Sequence, residues 1–430
     1  MLNQKPEVLV CGAGCAGLGA ALAAARQGAS TLLVERAPFA GGIITCTGLP
    51  YFDGIARKQD NRIVVRGIAL ELLSELGITK MSDTHVARHN APIHSVERFK
   101  LVADRLLQAE PKLQTVFHAF AVDVVRRGDR IAQVLVATKA GLLRLEPKVV
   151  IDATGDADVA ARAEVPLDAS KEYMPMSMHF RIGNVRQHPE LRRLAREATT
   201  AGHQEGLYQS YYGPGISFFF ADDEAYVHAV RVTADATDPL DLTRAEMQGR
   251  RDAYAIWEVW KKRVPGFENS YFISSGPYIG IRESRRIVGE YLLTEHDIKD
   301  QKSFDDAVAT GCWYLDLHPS YATAGTANVA PGALGGLDGF QPDHYDIPYR
   351  SLLARKVSNL LVAGRCHSAT RMAASSTRVT VTAMAMGQAA GTAAAFCSAK
   401  GKTPQEINGR DVRDILDQQH AGPFQGENAR

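Results

Sequence analysis

VLVCGAGCAGLGAALAAARQGASTLLVERAPFAGG, residues 8–42, decides how this chain folds. Val8 to Cys11 is an apolar run long enough for one buried strand. Gly12, Gly14 and Gly17 follow in G-x-G-x-x-G spacing, Leu18 to Ala25 reads as a helix, and Gly28 is its natural stop. Thr31 to Val34 is a second strand, ending on Glu35. In this order Gly12 allows the tight turn, Gly14 lets backbone approach a pyrophosphate, and Gly17 lets helix pack on strand. The phosphates then sit at the helix N-terminus, where unpaired N–H groups and the helix dipole favour anions. Glu35 is placed to accept hydrogen bonds from an adenosine ribose, and its charge repels a 2′-phosphate, which excludes NADP. FAD and NAD both remain open to this unit.

Bulk properties narrow the class. A chain of 430 residues suits two domains, or one large domain with a second inserted. A formal net charge of +1 leaves no basic footprint for nucleic acid or a membrane surface. No run approaches the length of an uncharged membrane span, and no export signal precedes the first strand. Cys11, Cys15, Cys46, Cys312, Cys366 and Cys397 form no C-x-x-C pair and no zinc spacing, which fits reduced thiols in a cytoplasm. No metal site is expected.

Outward from the opening stretch, Gly41 and Gly42 permit a second close backbone approach. Cys46 lies near them, but Tyr51 stands where a redox partner cysteine would be, so Cys46 reads as a neutral thiol. Residues 51–94 are an excursion, with a helix expected over Val64 to Leu76. The histidines His85, His89 and His94, with Arg88, read as a polar loop. Ser95 caps an amphipathic helix from Val96 to Ala109. Three strand-like runs follow, Thr115 to Arg126, Arg130 to Thr138 and Gly141 to Leu145, as an antiparallel meander laid across a parallel sheet. Lys148 to Asp152 is a buried strand closed by Ala153-Thr154-Gly155-Asp156, a second glycine turn at a strand's carboxyl end.

From Pro166 the aromatics thicken: Tyr208, Tyr211, Tyr212, Phe218, Phe219, Phe220 and Tyr226. Strands are expected over Ser217 to Phe220 and Ala225 to Val232, and a long helix over Ala245 to Arg263. A strand-like stretch within 271–294 carries Arg282, Glu283, Arg285 and Arg286. Residues 303–317 read as one more helix. Nucleotide-binding character returns with the strand Asn359 to Ala363, ending on Gly364-Arg365. A loop with Arg371 and Arg378 follows, then a small-residue helix from Val379 to Phe396. Gly409 to Gln418 reads as a short helix before a polar tail.

Four signatures stand in order: A-T-G-D at 153–156, G-I-R-E-S-R-R-I at 280–287, Y-D-I-P-Y-R-S-L at 345–352 and N-L-L-V-A-G-R at 359–365. With the opening motif they resemble the glutathione-reductase-like FAD-binding fold, and more closely the family of FAD-dependent oxidoreductases. The resemblance covers residues 8 to about 397. It implies an α/β Rossmann-like FAD-binding domain, a parallel sheet with an antiparallel meander, and an inserted α+β substrate domain. The expected FAD-binding domain is discontinuous, over 1–50, 95–165 and 343–400. Residues 166–342 form the expected substrate domain, and 401–430 a helix and tail.

The resemblance also assigns roles. Gly12, Gly14, Ala16 and Gly17 cradle the pyrophosphate, and Glu35, with Arg36 beside it, holds the ribose. Gly41 and Gly42 flank the phosphates and ribityl chain, and Val122 meets the adenine through its backbone. Thr154 and Gly155 close the adenosine side, and Gly364 and Arg365 reach the pyrophosphate or ribityl chain. The helix beginning near Val379 points its N-terminus at the flavin pyrimidine edge. Arg282, Arg285 and Arg378 are the anion-binding candidates, and His318, Tyr349 and His367 the proton-transfer candidates. Three activities stay open: hydride transfer between a small polar metabolite, anionic or not, and flavin, a reductase or monooxygenase fed by an external donor, and a structural flavin. The electron acceptor and the oligomeric state stay open as well.

Overall fold

Alternation along the first strand, β1 (Val8–Cys11), sets the layers. Val8 and Val10 enter one core, and Leu9 and Cys11 enter another on the opposite face. The computed structural model describes residues 2–79, 89–168, 172–211, 215–320 and 339–424. His85, Arg88, Tyr212 and the tail from residue 425 lie outside the described residues.

β1 is the centre of a five-stranded sheet ordered β18-β9-β1-β2-β5. Its partners are β2 (Thr31–Val34) and β9 (Val149–Asp152), flanked by β5 (Leu113–Val116) and β18 (Leu360–Val362), all parallel. In register, Cys11 lies opposite Val34 and Asp152, and Asp152 opposite Val362. Four loops therefore leave the sheet along one edge, where ligands bind in open α/β sheets.

One face carries α1 (Cys15–Arg26), α3 (Ile68–Glu75), α4 (Val96–Ala109) and α10 (Thr380–Lys400). α10 is buried almost all round, as its unbroken small and apolar sequence requires. A Cβ on Gly387 would lie 1.9 Å from the Ala16 carbonyl oxygen, and one on Gly391 2.1 Å from that of Ala20. Only glycine permits this contact. The opposite face carries α5 (Asp158–Arg162) and an antiparallel meander of β6 (Phe120–Arg127), β7 (Arg130–Thr138) and β8 (Gly141–Leu145). The run expected as one strand from Thr115 is two, β5 and β6, in different sheets. His118 takes φ 54° between them and breaks the extended chain.

The excursion forms β3 (Tyr51–Asp53) against β4 (Asn90–Pro92), with the one-turn helix α2 (Ile43–Thr47) before it. α3 begins at Ile68 rather than Val64, because Gln388 Oε1 of α10 accepts the Ile68 N–H at 2.9 Å and fixes the first turn there. His89 stacks on Trp313, ring centroids 4.8 Å apart; the part of the expected polar loop before it, residues 85–88, lies outside the described residues.

A second core holds Met176 to Ile279. There the sheet β12-β13-β11-β14 is built from β11 (Met176–Gly183), β12 (Gly215–Ala221), β13 (Glu224–Val232) and β14 (Tyr271–Ser275). α6 (Leu191–Gln204) and α7 (Pro239–Arg263) pack on it, Trp260 of α7 donating to Thr199 Oγ1 of α6 at 2.8 Å.

Residues 293–315 pack in the first core, so the second stops well short of residue 342. α8 (Glu295–Lys299) is followed by β16 (Ala307–Gly311), where a helix was expected over 303–317. β16 pairs antiparallel with β17 (Tyr345–Pro348) and is buried throughout; that pairing outweighs local preference. β10 (Leu167–Asp168) pairs with β15 (Arg286–Ile287), and residues 281–285 between Ile279 and β15 are irregular rather than strand. The expected loop at 371–378 is a short helix, α9 (Arg371–Thr377), capped by Thr370 Oγ1 on the Ala373 N–H at 3.2 Å. α11 (Gly409–Gln418) closes the described chain.

The α1–α10 contact makes a direct prediction. Gly391→Ala is expected to cost about 1–3 kcal/mol by overpacking, read as a lower melting temperature. An unchanged melting temperature would show that the two backbones do not touch.

Candidate active site

The carboxyl ends of β1, β2, β9 and β18 open into one cavity of about 400 Å³ that runs on to β11 and β13 of the second core. At the near end the backbone makes the wall. Gly12 takes φ +97°, and a Cβ there would meet the Ala153 carbonyl oxygen at 2.5 Å. Gly14 is the N-cap of α1 with no side-chain cap, and a Cβ on it would meet only Gly42 Cα, at 3.9 Å. The first N–H groups of α1 have no acceptor within the helix and face this cavity, an arrangement that suits an anion.

Glu35 is fixed by two backbone donors, Ala13 N–H to Oε2 at 2.6 Å and Ala37 N–H to Oε1 at 2.8 Å. A carboxylate has about four acceptor positions, so acceptors remain for two ribose hydroxyls. Arg36 lies beside it, 5.6 Å from the Tyr278 ring centroid.

Asp152 pins the next turn. It accepts the Thr154 N–H at 3.1 Å, the Thr154 hydroxyl at 2.7 Å and the Ala160 N–H at 2.9 Å. Burial pushes its carboxyl up to about 6 against those hydrogen bonds. Asp156 takes Arg365 Nη2 at 2.7 Å and the Ser284 hydroxyl at 2.6 Å. Burial opposes its charge, but Arg365 and Ser284 outweigh it and hold the carboxyl below its ordinary range. The cradle, the uncapped helix end and the ribose carboxylate fit FAD along this half of the cavity.

The far half is polar. Arg282 Nη1 donates to the Pro175 carbonyl at 2.6 Å and to Ser177 Oγ at 2.7 Å, and its Nη2 faces His228 Nε2 at 3.1 Å. A guanidinium only donates, so His228 Nε2 is an acceptor. Arg231 Nη2 lies 2.9 Å from His318 Nδ1, which is therefore also an acceptor. That fixes the neutral tautomer, with His318 Nε2–H facing Asp316 Oδ1 at 3.1 Å. Arg378 Nη2 holds Asp316 Oδ2 at 3.1 Å. Burial alone would raise the Asp316 carboxyl; His318, Arg378 and Arg282 outweigh it and hold it well below the carboxylate range. Burial pushes His318 down to about 4 and His179 to about 3. His228 is pushed well below its ordinary value by burial, then by His179 and Arg282.

Asp53 completes this end. Its Oδ1 accepts from Asn90 Nδ2, and its backbone N–H donates to Thr380 Oγ1, the first residue of α10, at 3.0 Å. Burial pushes its carboxyl up to about 7, and the charge of Asp316 adds to that, while Arg378 and Asn90 oppose it.

Of the residues singled out from sequence, Gly12, Gly14, Ala16, Glu35, Arg36, Gly42, Thr154, Gly155, Gly364, Arg365, Arg282, His318 and Arg378 line the cavity. Gly17 packs behind it on the Gly12 carbonyl, and the Gly41 N–H bonds the Ala13 carbonyl at 2.8 Å. Val122 lies in β6, and Val379 is the N-cap of α10. Arg285 turns away, to the Asp156 carbonyl at 2.8 Å and to the Asp158 carboxylate. Tyr349 is buried with its hydroxyl on the Pro404 carbonyl at 3.0 Å, and His367 with Nε2 on Thr377 Oγ1 at 2.8 Å. Neither lines the cavity. Cys46 lines it as a thiol pushed up to about 11 by burial. Among the described residues no group of three His, Cys, Asp or Glu side chains could hold a metal ion. No described helix is long and apolar enough to cross a membrane. Asp53, Asn90, His179, His228, Ser177 and Asp316 were not legible as site residues.

The chain is similar in fold to GidA of Aquifex aeolicus, with a TM-score of 0.50 at 15% identity over 98% of this chain and 69% of that one. A geranylgeranyl bacteriochlorophyll reductase-like protein of Thermoplasma acidophilum aligns with TM-score 0.48 and 12% identity over 97% and 84% of the two chains. The p-nitrophenol 4-monooxygenase PnpA of Pseudomonas putida aligns with TM-score 0.44 and 11% identity over 98% and 88%. The GidA likeness, at 15% identity, shows a shared fold and nothing of the substrate. The model of the FAD-dependent oxidoreductase family matches residues 7–416. A nucleotide half built for a dinucleotide, and a family match over nearly the whole chain, make one conclusion: this chain belongs to the FAD-dependent oxidoreductases and takes FAD as its cofactor.

Proposed function

We propose that the protein transfers a hydride between a small polar, anion-bearing metabolite and N5 of its FAD. The observation that carries this reading is the continuity of one cavity from the glycine turns to the Arg282–His228–His318–Arg378 cluster. FAD, when bound, supplies the two-electron chemistry, and the protein supplies position and charge.

Each residue's part follows from its surroundings. The Gly12–Ala16 turn and the N-terminus of α1 bind the pyrophosphate, and Glu35 the ribose. The N-terminus of α10 lies beside Asp53, where its dipole favours negative charge at the flavin's pyrimidine edge. Arg282 is aimed by Pro175 and Ser177 and is the anion-binding group of the substrate half. Arg378 is held by Asp316 and closes the same wall. The three histidines are neutral, so they orient hydroxyl or carbonyl groups and add no charge. Six free thiols, five of them buried, suit a reducing cytoplasm.

Anaerobic titration of the FAD-loaded protein against a metabolite panel tests the reading. Bleaching by one anionic metabolite supports it. Bleaching by NAD(P)H alone would replace it with a donor-fed reductase or monooxygenase, and no bleaching at all with a structural flavin. Glu35→Ala is expected to weaken FAD binding about tenfold to a hundredfold, the loss of charge-assisted hydrogen bonds, measured by fluorescence titration of the apoprotein. Arg282→Met is expected to raise KM for the reducing metabolite by about the same factor, with a smaller change in kcat. An unchanged KM would remove Arg282 from substrate binding.

A further inference from the structure

Resting on that hydride-transfer reading, we propose that Asp53 accepts the proton of a substrate hydroxyl while the adjoining C–H leaves as hydride to FAD, so that the reaction is oxidation of an alcohol to a carbonyl compound.

The bonds balance as follows. The C–H bond breaks and its electron pair passes to FAD as hydride. The O–H bond breaks, its proton goes to the Asp53 carboxylate, and its electron pair becomes the second C–O bond. The alcohol is oxidised and FAD is reduced. The proton then returns to solvent.

Place comes first. Asp53 ends β3, lines the cavity, and is tied through its own N–H to Thr380 at the head of α10. It therefore stands where the nucleotide half meets the substrate half. Partners come second. Asn90 sits opposite Asp53 in the β3–β4 register and donates to Oδ1 only. Among the described residues no cation lies within ion-pair distance of the Asp53 carboxylate, whereas Asp316 carries both Arg378 and His318. Two carboxylates thus share one end of the cavity in opposite environments, the arrangement that separates a charge-fixing group from a proton-transferring one.

The other groups there are unsuited to the proton. His318 and His228 present their lone pairs to arginines, and a second positive charge on either would face Arg231 or Arg282. His179 is buried between Tyr226 and His228, and among the described residues neither ring nitrogen has a hydrogen-bond partner. A neutral imidazole offers one donor and one acceptor, so it can orient a substrate hydroxyl, which combines the same two functions. Tyr51 and Tyr226 near Asp53 are phenols, and Tyr226 is pushed well above its ordinary value by burial. Asp53 alone is poised near neutrality. As a base it must be ionised, so reduction should be slow below pH about 7 and rise to a plateau above it.

The test compares wild-type and Asp53→Asn protein, both FAD-loaded, in anaerobic stopped flow with lactate, glycerate, glycerol and glucose as probe alcohols and alanine and NADPH as probes without a substrate hydroxyl of this kind. The proposal expects a probe alcohol to reduce the wild type with a rate that rises through pH 7. Asp53→Asn should be slower by about 10²- to 10⁴-fold, with FAD retained. It also expects the visible spectrum of the substrate-free wild type to titrate near pH 7 and that of Asp53→Asn to stay flat, a readout independent of turnover. Equal rates in both proteins, or a wild-type rate without the rise through pH 7, would overturn the role of Asp53 and leave hydride transfer standing. Reduction by alanine or NADPH but by no alcohol would overturn the alcohol assignment. If Asp53→Asn fails to hold FAD, the wild-type pH profile and spectral titration decide alone. No reduction by any probe sinks the proposal, and the reading beneath it falls separately if the wider metabolite panel also leaves the flavin oxidised.

Discussion

Backbone contact between α1 and α10 is the constraint on which the site depends. Gly387 and Gly391 rest on the carbonyls of Ala16 and Ala20, and a Cβ on Gly19 of α1 would in turn meet the Met384 carbonyl at 2.5 Å. Small residues spaced along both helices let the axes approach as closely as helices can. Because the contact begins in the first turn of α1 and the first turns of α10, the two N-termini arrive at the same cavity. One was built beside Gly14, the other hundreds of residues later beside Asp53. Two positive dipole ends then open on one cavity, and neither end carries a side-chain cap that would compete with a bound anion.

A second device joins the halves. The irregular strap at 281–285 sends successive side chains to different places. Arg282 reaches the substrate half, and Ser284 reaches Asp156 and Arg365 in the nucleotide half. Arg285 ties the strap to Asp158. Glu283 is the anchor: buried, it accepts from Arg286 at 2.7 Å, from Arg371 at 3.0 Å and from the Met174 N–H at 2.9 Å. A carboxylate taken out of water is tolerable only with such full compensation. The strap is irregular because regular strand geometry alternates between two faces, and these side chains need more than two directions.

How much was legible follows from how local the chemistry is. The β1 turn, α1 and Glu35 are readable because glycines, helix and acid lie within one stretch, and each meets its neighbours as the spacing implies. The β16 segment is not, because what makes it a strand is Tyr345–Pro348, far along the chain. Periodicity cannot separate a short buried strand from a buried helix turn. Tyr349 and His367 lie away from the cavity for a different reason. Tyr349 sits in a recognisable signature and His367 just after one, but the signature reports the fold, and the Tyr349 hydroxyl and His367 Nε2 are spent on Pro404 and Thr377. His179 and His228 lie about fifty residues apart in the sequence, yet β11 and β13 pair them directly, and only the register reveals that. Asp53 ends a Tyr-Phe-Asp stretch that carries no motif. Its neighbours Asn90, Asp316, Arg378 and Thr380 converge on it only in three dimensions.

The substrate half also shows how a crowded polar wall is kept from exchanging protons at random. Arg231 is fully buried, yet it is held there by a neutral imidazole lone pair, a hydrogen bond that requires His318 to stay uncharged. Arg282 places the same demand on His228. Each arginine thus fixes a tautomer, and each fixed tautomer directs its second nitrogen, in His318 toward Asp316. Arg378 then closes the chain on that carboxylate. A set of cations, two imidazoles and one acid becomes a wall with a single protonation pattern, because changing any member leaves an arginine facing a donor. Electrostatic preorganisation of this kind leaves nothing to rearrange when charge moves in the substrate. Asp53 makes no ion pair with that chain among the described residues, and the wall acts on it only through the charges of Asp316 and Arg378.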